Sequence, residues 1–360
     1  MTTTPVERDV LAYSNCPVPN ALLTALEAGL LAQEGIALEV LSGAQGALHF
    51  TYDHPAYTRF GGEIPPLVSE GLRAPGRTRL LGVTRFAGPQ GFYVCADSPV
   101  RSPAELAGRR VGVSAAAIRI LRRELGDYRQ LDPWRQTLIA LGTWEARGLL
   151  STLERGGVKL GDVDLVAIET PGVDLPADRL SAATSVKGAD LFPAVAHHQA
   201  GVLDAGTVDA LFSWLPWAAE LEDLYGARVL ADLSGDQRNL YASVWTVSAQ
   251  LVETHPDLVQ RLVDAAVRAG QWSRHHHDEV VTIHAANLGV APAAIDRGFG
   301  PDFAEHLVPR LDESAINLLD QTQRFLLDND LIDHPVDLEQ WAAPEFLAAS
   351  LNRSTPGNGS

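Results

Sequence analysis

The stretch DVLAYSNCPVPNALLTALEAGLLAQEGIALEVLS (9–42) decides the fold class. Asp9 to Tyr13 is a short run suited to a β-strand, and it breaks at Ser14-Asn15-Cys16-Pro17-Val18-Pro19. Asn20 then reads as an N-cap, because its side chain can take a free N–H of the first helical turn. Leucines at 22, 23, 26, 30 and 31 form one apolar stripe of helical period. Gly35 closes the helix and IALEVLS (36–42) is a second strand. Strand, helix, strand is the unit of a parallel sheet, and the expectation is an α/β protein.

The alternation continues outward. A polar and aromatic segment, GAQGALHFTYDHPAYTRFGG, reads as a long loop, and Pro65-Pro66 suit the first turn of a helix running to about Leu72. RTRLLGVTRF, GFYVCA, RRVGVS, DVDLVAI, TVDALFS, ARVLADL and ASVWTVS are further strand candidates, all expected to run parallel. Ser102-Pro103-Ala104-Glu105 has the form of a capping box. From Pro256 onward the pattern is mostly helical, with long pieces over Asp257–His276 and Glu313–Leu327. At roughly 150 residues per domain, 360 residues predict two or three units. The expected division is a first lobe of residues 1–97 plus 236–353, a second lobe of 98–235 inserted in it, and a disordered tail at 354–360. No internal repeat is visible.

The sequence carries 28 Lys plus Arg against 45 Asp plus Glu, a formal charge of −17, which argues against nucleic acid and anionic membrane surfaces as partners. A small anion can still bind in a local basic pocket. No apolar run reaches the ~18 residues of a spanning helix. Glu7, Arg8 and Asp9 stand where a secretory signal is apolar, so a cytoplasmic protein is expected. Two cysteines, Cys16 and Cys95, supply neither a disulfide framework nor a four-thiolate zinc site.

Three places hold residues with chemistry. Cys16 lies in the loop between strand and helix, where a helix N-terminus lowers a thiol pKa; the bland reading is a small buried hydrophobe. Cys95, at the end of a strand, fits the bland reading. The segment 48–62 holds His49, His54 and Arg59, the last just ahead of Gly61-Gly62. Glycines let backbone N–H groups approach an anion, and a guanidinium grips oxygen pairs; the bland reading is a surface salt bridge and a turn. Phe50, Trp144, Phe192, Trp214 and Trp217 fall in or beside loops. Core packing is their commoner fate, but together they suit a pocket for a flat apolar ligand. His275-His276-His277, on a helix, point in different directions and have no further ligand at a metal spacing; His197-His198 are judged alike. There is no nucleophile elbow, P-loop or dinucleotide fingerprint.

The order of ELAGRRVGVS (105–114), VDALFSWLPWAAEL (208–221) and LVETHPDLVQRLVDAAV (251–267) resembles the two-lobed (type II) periplasmic solute-binding fold, with ligands in the cleft between lobes. More specifically, YSNCPVPNALL (13–23), HFTYDHPAYTRFGGEIPPL (49–67), EGLRAPGRTRLLG (70–82), LDPWRQTL (131–138), VKGADLFP (186–193), SWLPWA (213–218) and QWAAPEFL (340–347) resemble the 2'-hydroxybiphenyl-2-sulfinate desulfinase family, from about Asp9 to Arg353. The resemblance implies a monomeric, cofactor-free cytoplasmic hydrolase that cleaves a carbon–sulfur bond. Its substrate would be an aryl sulfinate of dibenzothiophene desulfurisation, its products 2-hydroxybiphenyl and sulfite. It further implies that Cys16 is the essential thiol, that His49 is its catalytic partner, and that Arg59 holds the sulfinate with the backbone N–H of Gly62. Phe50, Trp144, Phe192 and Leu215 would line the biphenyl pocket. One departure is Asp53-His54-Pro55, where the family reads Asp-Gln-Pro; His54 could alter the pH profile or the thiol's hydrogen bonding. The segments 44–62 and 175–200 are expected to close over substrate. Two rivals remain at this level. A binding protein for an aromatic sulfonate or sulfinate would use the same cleft without a thiol. An enzyme of thiamine-pyrimidine synthesis would need a cysteine-rich metal segment, which this chain lacks.

Overall fold

A computed structural model describes residues 9–16, 18–41, 53–86, 88–169 and 194–354. Among the described residues ten strands form two five-stranded sheets. The first contains β1 (Asp9–Asn15), β2 (Ile36–Val40), β3 (Tyr57–Gly62), β4 (Thr78–Phe86) and β10 (Tyr241–Ser248), in the order β2-β1-β3-β10-β4. The second contains β5 (Gln90–Val94), β6 (Arg110–Val113), β7 (Asp164–Ala167), β8 (Ala210–Trp214) and β9 (Arg228–Asp232), in the order β7-β6-β8-β5-β9.

Two expectations about the course of the sheets need correction. The strands are not all parallel: β10 runs against β3 and β4, and β5 against β8 and β9. These are the strands that follow the two passages between sheets. A chain leaving one sheet at the carboxyl ends of its strands enters the next sheet at that same end, and so runs backwards through it. The second correction concerns β5. Its hydrogen bonds place Gln90–Val94 in the second sheet, whereas the reading from sequence kept everything to residue 97 with the first lobe. The first passage therefore lies between Phe86 and Gln90. The tail beyond residue 354 lies outside the described residues.

The opening unit forms as its residues require. Asn20 has extended backbone, and its Oδ1 accepts the Leu23 N–H at 2.7 Å, capping the helix Ala21–Glu27. The helix does not run through to Gly35, because Gly29 takes a left-handed φ of 73° and restarts the chain as Leu30–Gln33. The long helix Pro256–Ser273 buries Val259, Leu262, Val263 and Ala266 against the same core as Leu22, Ala25 and Leu31. The supposed capping box at Ser102 is a short 3-10 turn over Pro103–Leu106, in which the Glu105 carboxylate accepts the Arg101 N–H and the Ser102 side chain gives no cap.

The largest departure is β3. Tyr57–Gly62 falls in the segment read as a loop, yet it is a buried strand between β1 and β10. Phe60 stacks on its cross-strand partner Trp245 at 5.7 Å, and the Trp245 indole N–H donates to Thr58 Oγ1 at 2.9 Å. Arg and two glycines argue against a strand by propensity, but burial on both faces outweighs propensity here.

The helix that follows Cys16 is pinned from outside by His284. Its Nε2 meets Thr24 Oγ1 at 3.1 Å and its ring is fully buried. Burial holds the imidazole neutral, with its pKa lowered to about 3. Below the ordinary histidine pKa of about 6.5 the unfolded chain binds a proton that the folded one refuses. Stability is therefore complete above that pH and declines as pH falls towards 3. Thermal unfolding followed across pH 7 to 4 should show this decline, and His284→Gln should flatten it.

Candidate active site

Cys16 follows the last residue of β1. The register sets Ser14 beside Arg59 and Asn15 beside Phe60, so the chain delivers Cys16 against Gly61 at the end of β3. Contact there is close. A Cβ built on Gly61 would stand 2.7 Å from Cys16 Sγ and 3.0 Å from Arg59 Nη2. The thiol and the guanidinium thus converge on one point, and only a residue without a side chain leaves room for them. Gly61→Ala should cost activity by about tenfold or more, with a stability loss of ~1–3 kcal/mol from overpacking. Steady-state kinetics and thermal unfolding of the purified variant would measure both.

Cys16 keeps partial exposure but sits deep, beside Val18, Trp144, Leu215 and Tyr241 in one apolar cluster. Burial pushes its thiol up, and Glu63 adds to that; Arg59 and the Gly62 backbone N–H pull it down but do not prevail. This reverses the expectation that the following helix would lower it. The helix is only two turns long and starts five residues further on, too weak a dipole to offset desolvation.

Arg59 is not a surface residue. It is 2% exposed, and its Nη1 donates to the Gly62 carbonyl at 2.9 Å, closing the corner that β3 turns. Gly62 is crowded from the other side. A Cβ there would lie 2.7 Å from Tyr241 Oη and 2.9 Å from Trp144 Cη2. Trp144 comes from the first turn of the helix Thr143–Gly156, which packs with the second sheet, and its ring lies 4.9 Å from that of Tyr241. Leu215 follows β8, is 3% exposed, and adopts a left-handed φ of 51°, a strain of ~1–3 kcal/mol that places it in the Cys16 cluster. Trp217, on the helix Leu215–Tyr225, is buried in the same cluster.

Reading the sequence missed two residues of this site. Tyr241 is the first residue of β10, and the strand was read as starting one residue later. Glu63 is fully buried, and its Oε1 accepts the Trp144 indole N–H at 3.0 Å. Burial raises its carboxyl above the usual range. The available signal was an acid set between Gly-Gly and an Ile-Pro-Pro helix start, where a solvated acid is the ordinary reading.

His49, Phe50 and Phe192 lie outside the described residues, as do 44–52 and 175–193 of the two segments expected to close over substrate. Within 44–62, the part from Tyr57 is the central strand β3. His54 Nδ1 accepts the Ala56 N–H at 3.1 Å within its own turn. The histidine run spans a helix junction, with His275 and His276 between two helices and His277 starting the second: His276 stacks on Trp272 at 4.1 Å and His277 meets Asp296 at 2.9 Å. Cys95 packs at the margin of an apolar cluster of the second sheet. Among the described residues there is no group of three or more His, Cys, Asp or Glu placed to hold a metal, and no helix long and apolar enough to cross a membrane.

A scan against models of known protein families finds no match. A relative from Rhodococcus erythropolis, described as 2'-hydroxybiphenyl-2-sulfinate desulfinase, is 66% identical over 346 residues, covering 96% of this chain and 94% of its own length. The chain belongs to the 2'-hydroxybiphenyl-2-sulfinate desulfinase family. A crystal structure of a cysteine-to-serine mutant of the desulfurization enzyme DSZB, in complex with biphenyl-2-sulfinic acid, matches this desulfinase-family chain with a TM-score of 0.93 at 66% identity, covering 96% of this chain and 99% of that one. The periplasmic sulfonate-binding protein SsuA from Methylobacillus flagellatus KT matches with a TM-score of 0.67 at 15% identity, covering 96% and 95%. At that identity the likeness concerns the fold alone. The desulfinase family shares the two-lobed fold of periplasmic binding proteins.

Proposed function

We propose that this protein is an aryl sulfinate desulfinase, converting 2'-hydroxybiphenyl-2-sulfinate and water to 2-hydroxybiphenyl and sulfite. The observation that carries the reading is the convergence of Cys16 Sγ and Arg59 Nη2 at Gly61. An anion with a flat apolar body needs a buried cation beside an aromatic wall, and Arg59, Trp144 and Leu215 supply those features.

Cleaving the C–S bond leaves an electron pair on an aryl carbon, which is a poor leaving group until protonated. The Cys16 thiol gives its proton to the ring carbon bearing sulfur, the C–S pair becomes the new C–H bond, and SO2 departs. Water adds to SO2 to give bisulfite and a proton, and that proton restores the thiol. The balance is sulfinate plus water giving arene plus bisulfite. Arg59 and the Gly62 N–H hold the sulfinate oxygens, and His49 orients the thiol and returns its proton. Burial of the thiol favours this route, since a raised pKa keeps the sulfur protonated at neutral pH. A thiolate attacking sulfur would approach an anion and would leave the carbanion unprotonated. A free thiol at the centre of the site suits a reducing cytoplasm, and a self-sufficient cleft suits a monomer.

Purified protein incubated with the sulfinate should release sulfite and 2-hydroxybiphenyl in equal amounts. Binding without release would leave a solute-binding protein instead. The rate should stay level through neutral pH and fall only in alkali, above the ordinary thiol pKa of about 8.5. A rate that climbs through that pH would assign the thiolate, not the thiol, as the reactive form.

A further inference from the structure

The buried carboxyl of Glu63 has no part in the chemistry above, yet it stands one residue from Gly62. It is 0% exposed. Its Oε1 accepts from two donors, the Trp144 indole N–H at 3.0 Å and the Thr322 hydroxyl at 3.4 Å. Its Oε2 is buried and finds no hydrogen-bond partner among the described residues. Arg147, one turn after Trp144 on the same helix, is 6% exposed and donates to Thr322 Oγ1 at 2.9 Å.

We propose that Glu63 is a positioning residue for aryl recognition: from the first sheet it grips the indole N–H of Trp144, a residue carried by the second, and so fixes the ring plane that stands over Gly62. This deepens the aryl sulfinate reading and rests on it. Trp144 is anchored at one edge and partly open, so the sealed acid sets the orientation of a wall that faces the cleft. The ring's far edge lies where a Gly62 Cβ would be, and its face tilts against Tyr241. A second aryl ring stacked on that indole is sensitive to its plane; a ligand with one ring is much less so. A buried acid is a costly means of packing, and an apolar residue of like volume often packs as well or better. Its use here is explained by direction, since an acceptor fixes the indole where an apolar contact lets it turn. Burial also holds the carboxyl above its usual pKa, because desolvation disfavours the charged form.

The test uses the Cys16→Ser protein, so that binding is read without turnover. Calorimetry with biphenyl-2-sulfinate and with benzenesulfinate is run on this parent and on Glu63→Leu, Glu63→Gln, Trp144→Phe and the Glu63→Leu/Trp144→Phe pair. Glu63→Leu should weaken biphenyl-2-sulfinate by about tenfold and benzenesulfinate by much less, the scale of one ordinary hydrogen bond. Glu63→Gln keeps an acceptor and should stay within about twofold of the parent. With Trp144 already Phe, Glu63→Leu should add little, because the two residues act as one unit. Additive losses, or equal losses for the two ligands, would overturn the proposal. Should Glu63→Leu fail to fold, Trp144→Phe alone decides: it must lose the preference for the two-ring ligand, and parent-like selectivity overturns the proposal. If the parent binds neither sulfinate, the aryl sulfinate reading fails and takes this inference with it. Binding by the parent with additive losses removes this inference alone.

Discussion

Cys16→Ser is expected to abolish sulfite release while leaving the aryl sulfinate bound. The change is one atom, so the loop, the Gly61 contact and the apolar cluster around residue 16 survive it. What is lost is acidity. Even with burial pushing it up, the Cys16 thiol is a far stronger acid than an alkyl hydroxyl and can give its proton to an aryl carbon. General-acid catalysis contributes about 10²–10⁴-fold, and the loss in kcat should be of at least that order. Calorimetric titration with the sulfinate should still give binding within a few fold of wild type. Sulfite release at more than about a tenth of the wild-type rate would remove Cys16 as the proton donor. Intact mass of wild-type enzyme quenched during turnover gives an independent check. An adduct on Cys16, formed and consumed as fast as product appears, would replace protonation by covalent attack.

Arg59→Lys should also cost activity heavily, for two reasons that the geometry separates. The guanidinium uses Nη1 to hold the Gly62 carbonyl and presents Nη2 beside the thiol, so one planar group both closes the corner and faces the ligand site. A lysine offers a point charge on a flexible stem and cannot do both in fixed geometry. In a site this buried, one lost charge-assisted hydrogen bond is worth ~1.5–3 kcal/mol, or about ten- to a hundredfold in kcat/KM. A larger rise in KM than fall in kcat would mean that Arg59 mainly binds; losses confined to kcat would mean that it acts in the transition state. Wild-type kinetics for Arg59→Lys would take the residue out of the site.

Local pattern made much of this protein legible. The N-cap Asn20, the helices Pro256–Ser273 and Glu313–Asp328, and most of the strands follow from period and end signals that act within a few residues. The motif around Arg59 is legible because Arg followed by Gly-Gly is chemically pointed, although its extended backbone is not. β3 escaped because its stability comes from β1 and β10, distant in sequence, and not from strand propensity in Tyr-Thr-Arg-Phe-Gly-Gly. The antiparallel course of β5 and β10 escaped for the same kind of reason, since strand direction is set by the route between sheets.

The sequence by itself determined the α/β class, the family, and the identity of the thiol and the guanidinium, because those rest on residue type and near-neighbour order. Only the tertiary structure decided the state of the thiol, since the fields of Arg59 and Glu63 come from some forty positions away and the desolvation from residues such as Trp144, Leu215 and Tyr241, farther still. It also decided why residues 61 and 62 must be glycine, for Cys16, Trp144 and Tyr241 reach them from three separate stretches of chain. The role of Glu63 belongs to the same class. An acid is solvated or sealed according to what packs over it, and here the cover comes from Trp144 and Thr322, far along the chain.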